Sequence, residues 1–112
     1  MSGSITVFLS ARMDEREAGA RQVLAFTARS RARGLASMLW DEQDDAARME
    51  LREAEAVRGI LARYEDCLVR QDDRNYSEAA AYDQAREYED FVLPNLAAVY
   101  STHPDYLEAW KP

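Results

Sequence analysis

Residues 47–68, ARMELREAEAVRGILARYEDCL, decide the fold. Apolar side chains recur in this stretch at intervals of three and four residues, the spacing that places them on one face of an α-helix. They are Ala47, Leu51, Ala54, Val57, Leu61, Tyr64 and Leu68. Charged residues occupy most of the positions between them, as on a solvated helix face. The pattern predicts a long helix that begins between Ser37 and Asp45 and ends near Arg70.

A second helix is predicted upstream, from Ser4 to about Arg33. Its apolar residues also recur mostly at three- and four-residue intervals, and Ser4 is the predicted N-cap. Arginines near its end suit the negative end of the helix dipole. Gly34 is suited to the left-handed conformation that often follows a helix.

The third predicted helix begins near Tyr76, where Asn75 and Glu78 form a capping-box pattern. Its predicted core face consists of Ala81, Ala85, Tyr88, Val92, Leu96 and Val99. Pro94 lies inside this pattern and removes one backbone donor, so we expect a kink or a break around residues 90–93.

Together, these segments predict an all-α fold. We expect an antiparallel bundle of three long helices, a short C-terminal helical turn from Asp105 to Trp110, and a single helical domain over residues 1–112. Because three helices bury less surface than four, a homodimer is left open as an alternative to a monomer.

Composition excludes several classes of function. The chain has 112 residues with 14 Lys+Arg against 21 Asp+Glu, a net charge of -7, so we do not expect it to bind nucleic acid. One cysteine, Cys67, and one histidine are too few for a structural zinc site, and the calcium-loop and Glu-x-x-His patterns are missing. No apolar run reaches the roughly 18 residues that span a bilayer. We therefore expect a cytoplasmic protein with no metal and no cofactor.

Several residues are candidates for contact with a partner. The start of the second predicted helix carries an acidic cluster, which we interpret as a solvated helix start. The cluster consists of Asp41, Glu42, Asp44 and Asp45.

Tyr82 falls off the core face of the third helix, and an exposed tyrosine there would anchor an interface. His103 is the natural first candidate for general acid or base work, but its position before Pro104 also suits a helix cap. Tyr106 and Trp110 are four residues apart and are predicted to dock on the bundle.

Three stretches of the chain form a recognisable combination. They are FLSARMDE at residues 8–15, LREAEAVRGIL at residues 51–61, and a C-terminal stretch that opens with His-Pro-Asp-Tyr at residue 103. In combination they resemble a family of small uncharacterised proteins of actinobacteria and their bacteriophages. The resemblance implies a cytoplasmic protein in a bacterial or phage-infected cell. The signature positions that it implies are His103, Pro104, Asp105, Tyr106 and Trp110.

Three functions remain open at this point. We expect a non-enzymatic protein-interaction module that binds a host or phage protein, with acidic residues steering the encounter and exposed tyrosines supplying contact area. The first alternative is an acidic nucleic-acid mimic that occupies the cleft of a DNA-binding protein. The second is a small hydrolase that uses His103. We assign no catalytic, cofactor-binding or metal-binding residue.

Overall fold

The computed structural model describes residues 2–35, 37–71 and 78–112, and the regular structure of these residues is helical. The elements are α1 (Ser2–Ala32), α2 (Leu39–Gln71), α3 (Glu78–Glu87), a π-turn (Tyr88–Val92), α4 (Leu93–Ala98) and a 3-10 turn (Glu108–Trp110). The prediction of an all-α fold is confirmed, and the first two helices are long as expected. The third predicted helix is divided into shorter elements, and the C-terminal turn is shorter than the predicted range from Asp105 to Trp110.

The helices pack into two compact units, and α1 and α2 contribute residues to both. One unit is Arg12–Arg58, which we call the hairpin. The other consists of Met1–Ala11 and Gly59–Pro112, which we call the C-terminal unit. The single domain expected over residues 1–112 stays a prediction.

In the hairpin, α1 and α2 run antiparallel. Arg16 Nε contacts Glu50 Oε2 at 2.7 Å, whereas Arg31 Nη2, later in α1, contacts Asp41 Oδ1 at 2.8 Å, earlier in α2. Alanines supply part of the buried seam between the two helices, which allows their backbones to approach closely. Buried alanines of the hairpin are Ala20, Ala47 and Ala54.

The end of α1 follows the prediction for Gly34. This residue has a φ of +77°, and its N–H donates to the Arg31 carbonyl at 2.9 Å. The Leu35 N–H donates to the Ser30 carbonyl at 3.0 Å, which completes a Schellman motif. A glycine adopts this left-handed conformation at no steric cost, so the chain turns sharply before α2.

The helix starts agree with the predictions in one case and differ in another. α2 begins at Leu39, whose N–H is accepted by the Ser37 hydroxyl oxygen at 3.1 Å, and this start lies within the predicted range. α1 begins at Ser2, so the prediction of Ser4 as the N-cap is wrong. The apolar periodicity starts only at Ile5, but the helix itself begins three residues earlier. The predicted cap at Asn75 lies outside the described residues.

In the C-terminal unit, α2 runs antiparallel to the segment that contains α3 and the π-turn. The Tyr64 hydroxyl donates to Glu89 Oε1 at 2.7 Å, and Cys67 Sγ donates to Gln84 Oε1 at 3.5 Å, so residues later in α2 meet residues earlier in the third segment. Leu61, Tyr64 and Cys67 are buried. This burial confirms the predicted apolar stripe over the second half of α2.

The register of the third segment differs from the prediction. Val99 is 76% exposed although the predicted core face includes it, and the fully buried residues are Leu93 and Ala97. The π-turn explains the shift because its turns contain more residues than those of an α-helix, and the Leu93 N–H bonds to the Tyr88 carbonyl, five residues earlier. Pro94 follows at once and has no N–H to continue the α-helical pattern. The expected interruption therefore takes the form of a π-turn, and the helix continues beyond it.

Candidate interaction surfaces

The acidic cluster at the start of α2 does not lie wholly in solvent. The side chain of Asp44 is only 6% exposed. Arg31 Nη1 donates to Asp44 Oδ2 at 2.5 Å, and the Thr27 hydroxyl donates to Oδ1. These hydrogen bonds, from Thr27 first and Arg31 second, hold the pKa of Asp44 below its ordinary value. The interpretation of Asp44 as a solvated contact residue is therefore wrong, because it links α1 to α2. The exposed members of the cluster are Asp41, Glu42 and Asp45.

A groove between α1 and α2 in the hairpin was not predicted. Its volume is about 740 Å³, and small side chains line much of it. Phe26 stands at its edge with 52% of its surface exposed, and its ring lies 5.8 Å from that of Trp40 between centroids. At one end, Arg16 bonds to Glu50 and holds the pKa of Glu50 below its ordinary value. The small lining residues are Gly19, Ala20, Ala46 and Ala47.

The third segment presents a second surface, which we call the acidic face. Its residues form two rows at four-residue spacing, and all of them are exposed. One row is Asp83, Glu87 and Phe91, and the other is Tyr82, Arg86 and Asp90. Tyr82 is 51% exposed, as predicted, and Phe91 is 64% exposed. The aromatic side chains therefore bracket a group of carboxylates.

Arg86 orders one row of the acidic face. Its Nη1 donates to the Tyr82 hydroxyl oxygen at 3.1 Å, its guanidinium carbon lies 5.8 Å from the centroid of the same ring, and its Nε contacts Asp90 Oδ2 at 3.4 Å. These contacts, the bond to Tyr82 first, raise the pKa of Arg86. Arg86 therefore contacts both of its neighbours in this row, Tyr82 and Asp90.

Neither Phe26 nor Phe91 was singled out from the sequence. A usable signal was present for Phe91, which falls off the predicted core face of the third helix. The exposure of Phe26 depends on how α1 packs against α2, which the sequence does not specify.

Ring-bearing residues near the C-terminus pack around Phe8 in the C-terminal unit. The Phe8 ring lies 5.0 Å from Trp110, 5.7 Å from His103 and 6.1 Å from Tyr106, between centroids. His103 Nδ1 accepts the Asp105 N–H at 3.1 Å within a turn. The 3-10 turn that follows starts only at Glu108 and has no side-chain cap, so the prediction of a helix cap at His103 is wrong. The docking of Tyr106 and Trp110 follows the prediction. Asp105 is exposed, whereas the side chains of His103, Tyr106 and Trp110 are partly covered.

Cys67 lies in a smaller cavity of the C-terminal unit. The volume is about 460 Å³, and the buried Cys67 is one of the residues that line it. Among the residues that the structure describes, no group of three or more His, Cys, Asp or Glu side chains is placed to hold a metal ion.

Charge divides unequally between the two units. The hairpin carries 9 basic and 10 acidic residues, a net charge of -1, whereas the remainder carries 5 basic and 11 acidic residues, a net charge of -6. The negative potential of the molecule therefore arises mainly from the C-terminal unit.

No helix in the described part of the chain is long and apolar enough to cross a bilayer.

Comparison with known proteins identifies one matching family. No curated protein and no solved structure matches the chain. One family profile matches residues 2–112, in agreement with the resemblance to an uncharacterised family. The chain therefore belongs to DUF6221, a family of unknown function.

Proposed function

We propose that this chain is a protein-interaction module that docks a basic protein partner on its acidic face. One observation carries the proposal: Tyr82 and Phe91 are large exposed aromatic side chains near the exposed carboxylates of the third segment. The module acts by binding, without catalysis.

Aromatic side chains are the anchors that dominate many protein interfaces. Tyr82 and Phe91 are nine residues apart, or about 13 Å along a helix, so two separate pockets of a partner would receive them. Arg86 already holds Tyr82 through a hydrogen bond and a ring contact. Binding therefore costs less side-chain entropy at Tyr82 than it would at a mobile tyrosine.

Carboxylates between the aromatic side chains set the chemistry of the partner. Asp83, Glu87 and Asp90 are exposed, and the unit that contains them has a net charge of -6. Such a surface accelerates encounter with a positively charged protein and disfavours an acidic one. The partner surface therefore combines Lys or Arg side chains with two apolar pockets.

The setting follows from the sequence resemblance. We propose that the chain acts in the cytoplasm of an actinobacterium or of a phage-infected actinobacterial cell, and that the partner is a host or phage protein. In this proposal His103 has a structural role in the C-terminal turn rather than a reactive one, because its Nδ1 accepts the Asp105 N–H.

The test places a photocrosslinking amino acid, p-benzoylphenylalanine, at Phe91 in an actinobacterial host. The control carries it at Val69, which is 68% exposed on α2 of the same unit. We expect an adduct with a basic protein from position 91 and none from position 69.

The partner is then purified, and its affinity is measured by calorimetry for three forms of the chain. They are the wild type, Phe91→Ala, and the double variant Asp83→Lys with Glu87→Lys. We expect both changes to weaken binding at least about tenfold.

The same measurements separate the alternatives. A nucleic-acid mimic depends on its carboxylates, so Phe91→Ala would leave its affinity unchanged while the charge reversal abolishes it, and duplex DNA would displace the chain. Equal adducts from positions 91 and 69, or an affinity that neither variant changes, would contradict the proposal. Catalytic turnover that is lost in His103→Ala but retained in Phe91→Ala would favour the hydrolase.

A further inference from the structure

We propose that the hairpin pairs with the hairpin of a second copy of this chain, with their apolar grooves facing each other. The proposal concerns the hairpin alone, whereas the acidic face belongs to the C-terminal unit. The homodimer and the docking of a basic partner therefore stand on separate observations.

The shape of the groove suits a copy of itself. A two-fold interface brings one surface against the same surface, so it needs a ridge and a recess on one face. Phe26 and Val23 form the ridge, and the small side chains beside them form the recess. Apart from the neighbouring residues of its own helix, no atom lies within 4 Å of the position that a Gly19 Cβ would take, so the recess has room for a partner's side chain.

Exposed apolar side chains extend this face along α2. Leu39 and Met49 are both more than half exposed, and they lie seven residues before and three residues after Ala46, on the same side of the helix. Pairing of two hairpins would remove these side chains from water together with Phe26. The apolar surface is thus broader than the groove itself.

Charges on the two edges of the face are opposite. Arg29 and Arg33 continue the row of α1 that contains Phe26, and Glu42 lies one turn before Ala46 on α2; all three are exposed. If the two-fold axis runs parallel to the hairpin, α1 of one copy lies beside α2 of the other in antiparallel orientation. Arg29 and Arg33 then face Glu42 of the second copy, and the contact is made twice.

Net charge favours the hairpin as the place of self-association. Two hairpins, each with a net charge of -1, repel each other little. Two copies of the C-terminal unit, each with a net charge of -6, repel each other strongly at low salt. A second copy of this chain is therefore a suitable occupant for the groove.

Sedimentation of the full chain over a concentration series tests the proposal. The expected species is a dimer with twice the chain mass of 12.8 kDa. Ala46→Glu introduces a carboxylate into the groove and should raise the dissociation constant more than about 100-fold. The matched control is Ala28→Glu, because Ala28 is an exposed alanine of α1 about 200° around the helix from Phe26. Circular dichroism establishes that both variants keep their helices.

Charge exchange tests the side-by-side arrangement without changing the groove. Glu42→Arg alone, and Arg29→Glu with Arg33→Glu, should each weaken the dimer about tenfold, and a chain that carries all three changes should regain most of the affinity. A wild-type chain that stays monomeric into the millimolar range would overturn the proposal. Equal weakening by Ala46→Glu and Ala28→Glu would overturn it as well, as would a triple variant that regains nothing.

Discussion

Asp44 shows how one carboxylate joins two helices. Arg31 and the Thr27 hydroxyl both donate to it from α1, so its charged form is favoured in the folded hairpin. Because its pKa lies below the ordinary value of 3.8, it stabilises the fold where the carboxylate of the unfolded chain is ionised. That stabilisation is lost as the pH falls through the lower, folded-state pKa.

The corresponding variant is Asp44→Asn. We expect it to lower the urea midpoint of unfolding at pH 7, and the gap from the wild type to shrink as the pH falls below about 4. The control is Asp45→Asn, since the Asp45 side chain is 82% exposed and surface ion pairs contribute little. A gap that stays constant between neutral and acidic pH would show that Asp44 does not act through its charge.

Phe8 has a comparable role in the C-terminal unit. Four aromatic rings lie within 6.3 Å of its ring between centroids, including those of Tyr106 and Trp110. Edge-on ring contacts of this kind add to the free energy gained by burial. The positions of Tyr106 and Trp110 therefore have a structural explanation that is independent of any binding role.

At the scale of the element, the π-turn makes a quantitative prediction. Leu93 is fully buried and Leu96 only partly, although an uninterrupted α-helical register would bury Leu96. We expect Leu93→Ala to lower the free energy of unfolding by about 3 kcal/mol and Leu96→Ala by about 1 kcal/mol. Urea titrations followed by circular dichroism measure both. The reverse order would mean that the segment is an uninterrupted α-helix in solution.

The sequence predicted α2 well and the third segment less well for a physical reason. The stripe of α2 keeps three- and four-residue spacing across Ala47, Ala54 and Leu61, so its buried face follows from helix geometry alone. Pro94 indicates that backbone bonding is interrupted but not how many residues the interrupted turn contains. Because of the single π-turn, the buried residue is Leu93, whereas the sequence predicted Val92.

The candidate surfaces were only partly predictable. Tyr82 was identified because it falls off the core stripe, and the exposure of a side chain on the outer row of one helix depends mainly on that helix. The groove requires the small residues of α1 to face those of α2, and this alignment depends on the packing of two helices. Asp44 was misinterpreted for the same reason, since its partners lie 13 and 17 residues away in the chain.

At the scale of the whole molecule, interactions between charges stabilise the hairpin and destabilise the C-terminal unit. The hairpin is nearly neutral and contains ion pairs between its helices, such as Arg16 with Glu50 and Arg58 with Glu17. The C-terminal unit has 11 acidic residues against 5 basic ones, so its carboxylates repel each other. Added salt should therefore weaken the first unit and strengthen the second.

Amide hydrogen exchange, resolved by peptide, measures this difference. Raising the ionic strength from about 0.01 M to about 0.15 M shortens the Debye length from roughly 30 Å to roughly 8 Å. We expect protection to fall in hairpin peptides and to rise in peptides from residues 78–112, by tenths of a kcal/mol in each case. The Ala46→Glu background suppresses any contribution from dimer dissociation. Asp83→Asn with Glu87→Gln should reduce the gain in residues 78–112, because two of the repelling charges are removed. Protection that changes in the same direction in both units would show that the uneven charge does not control their relative stability.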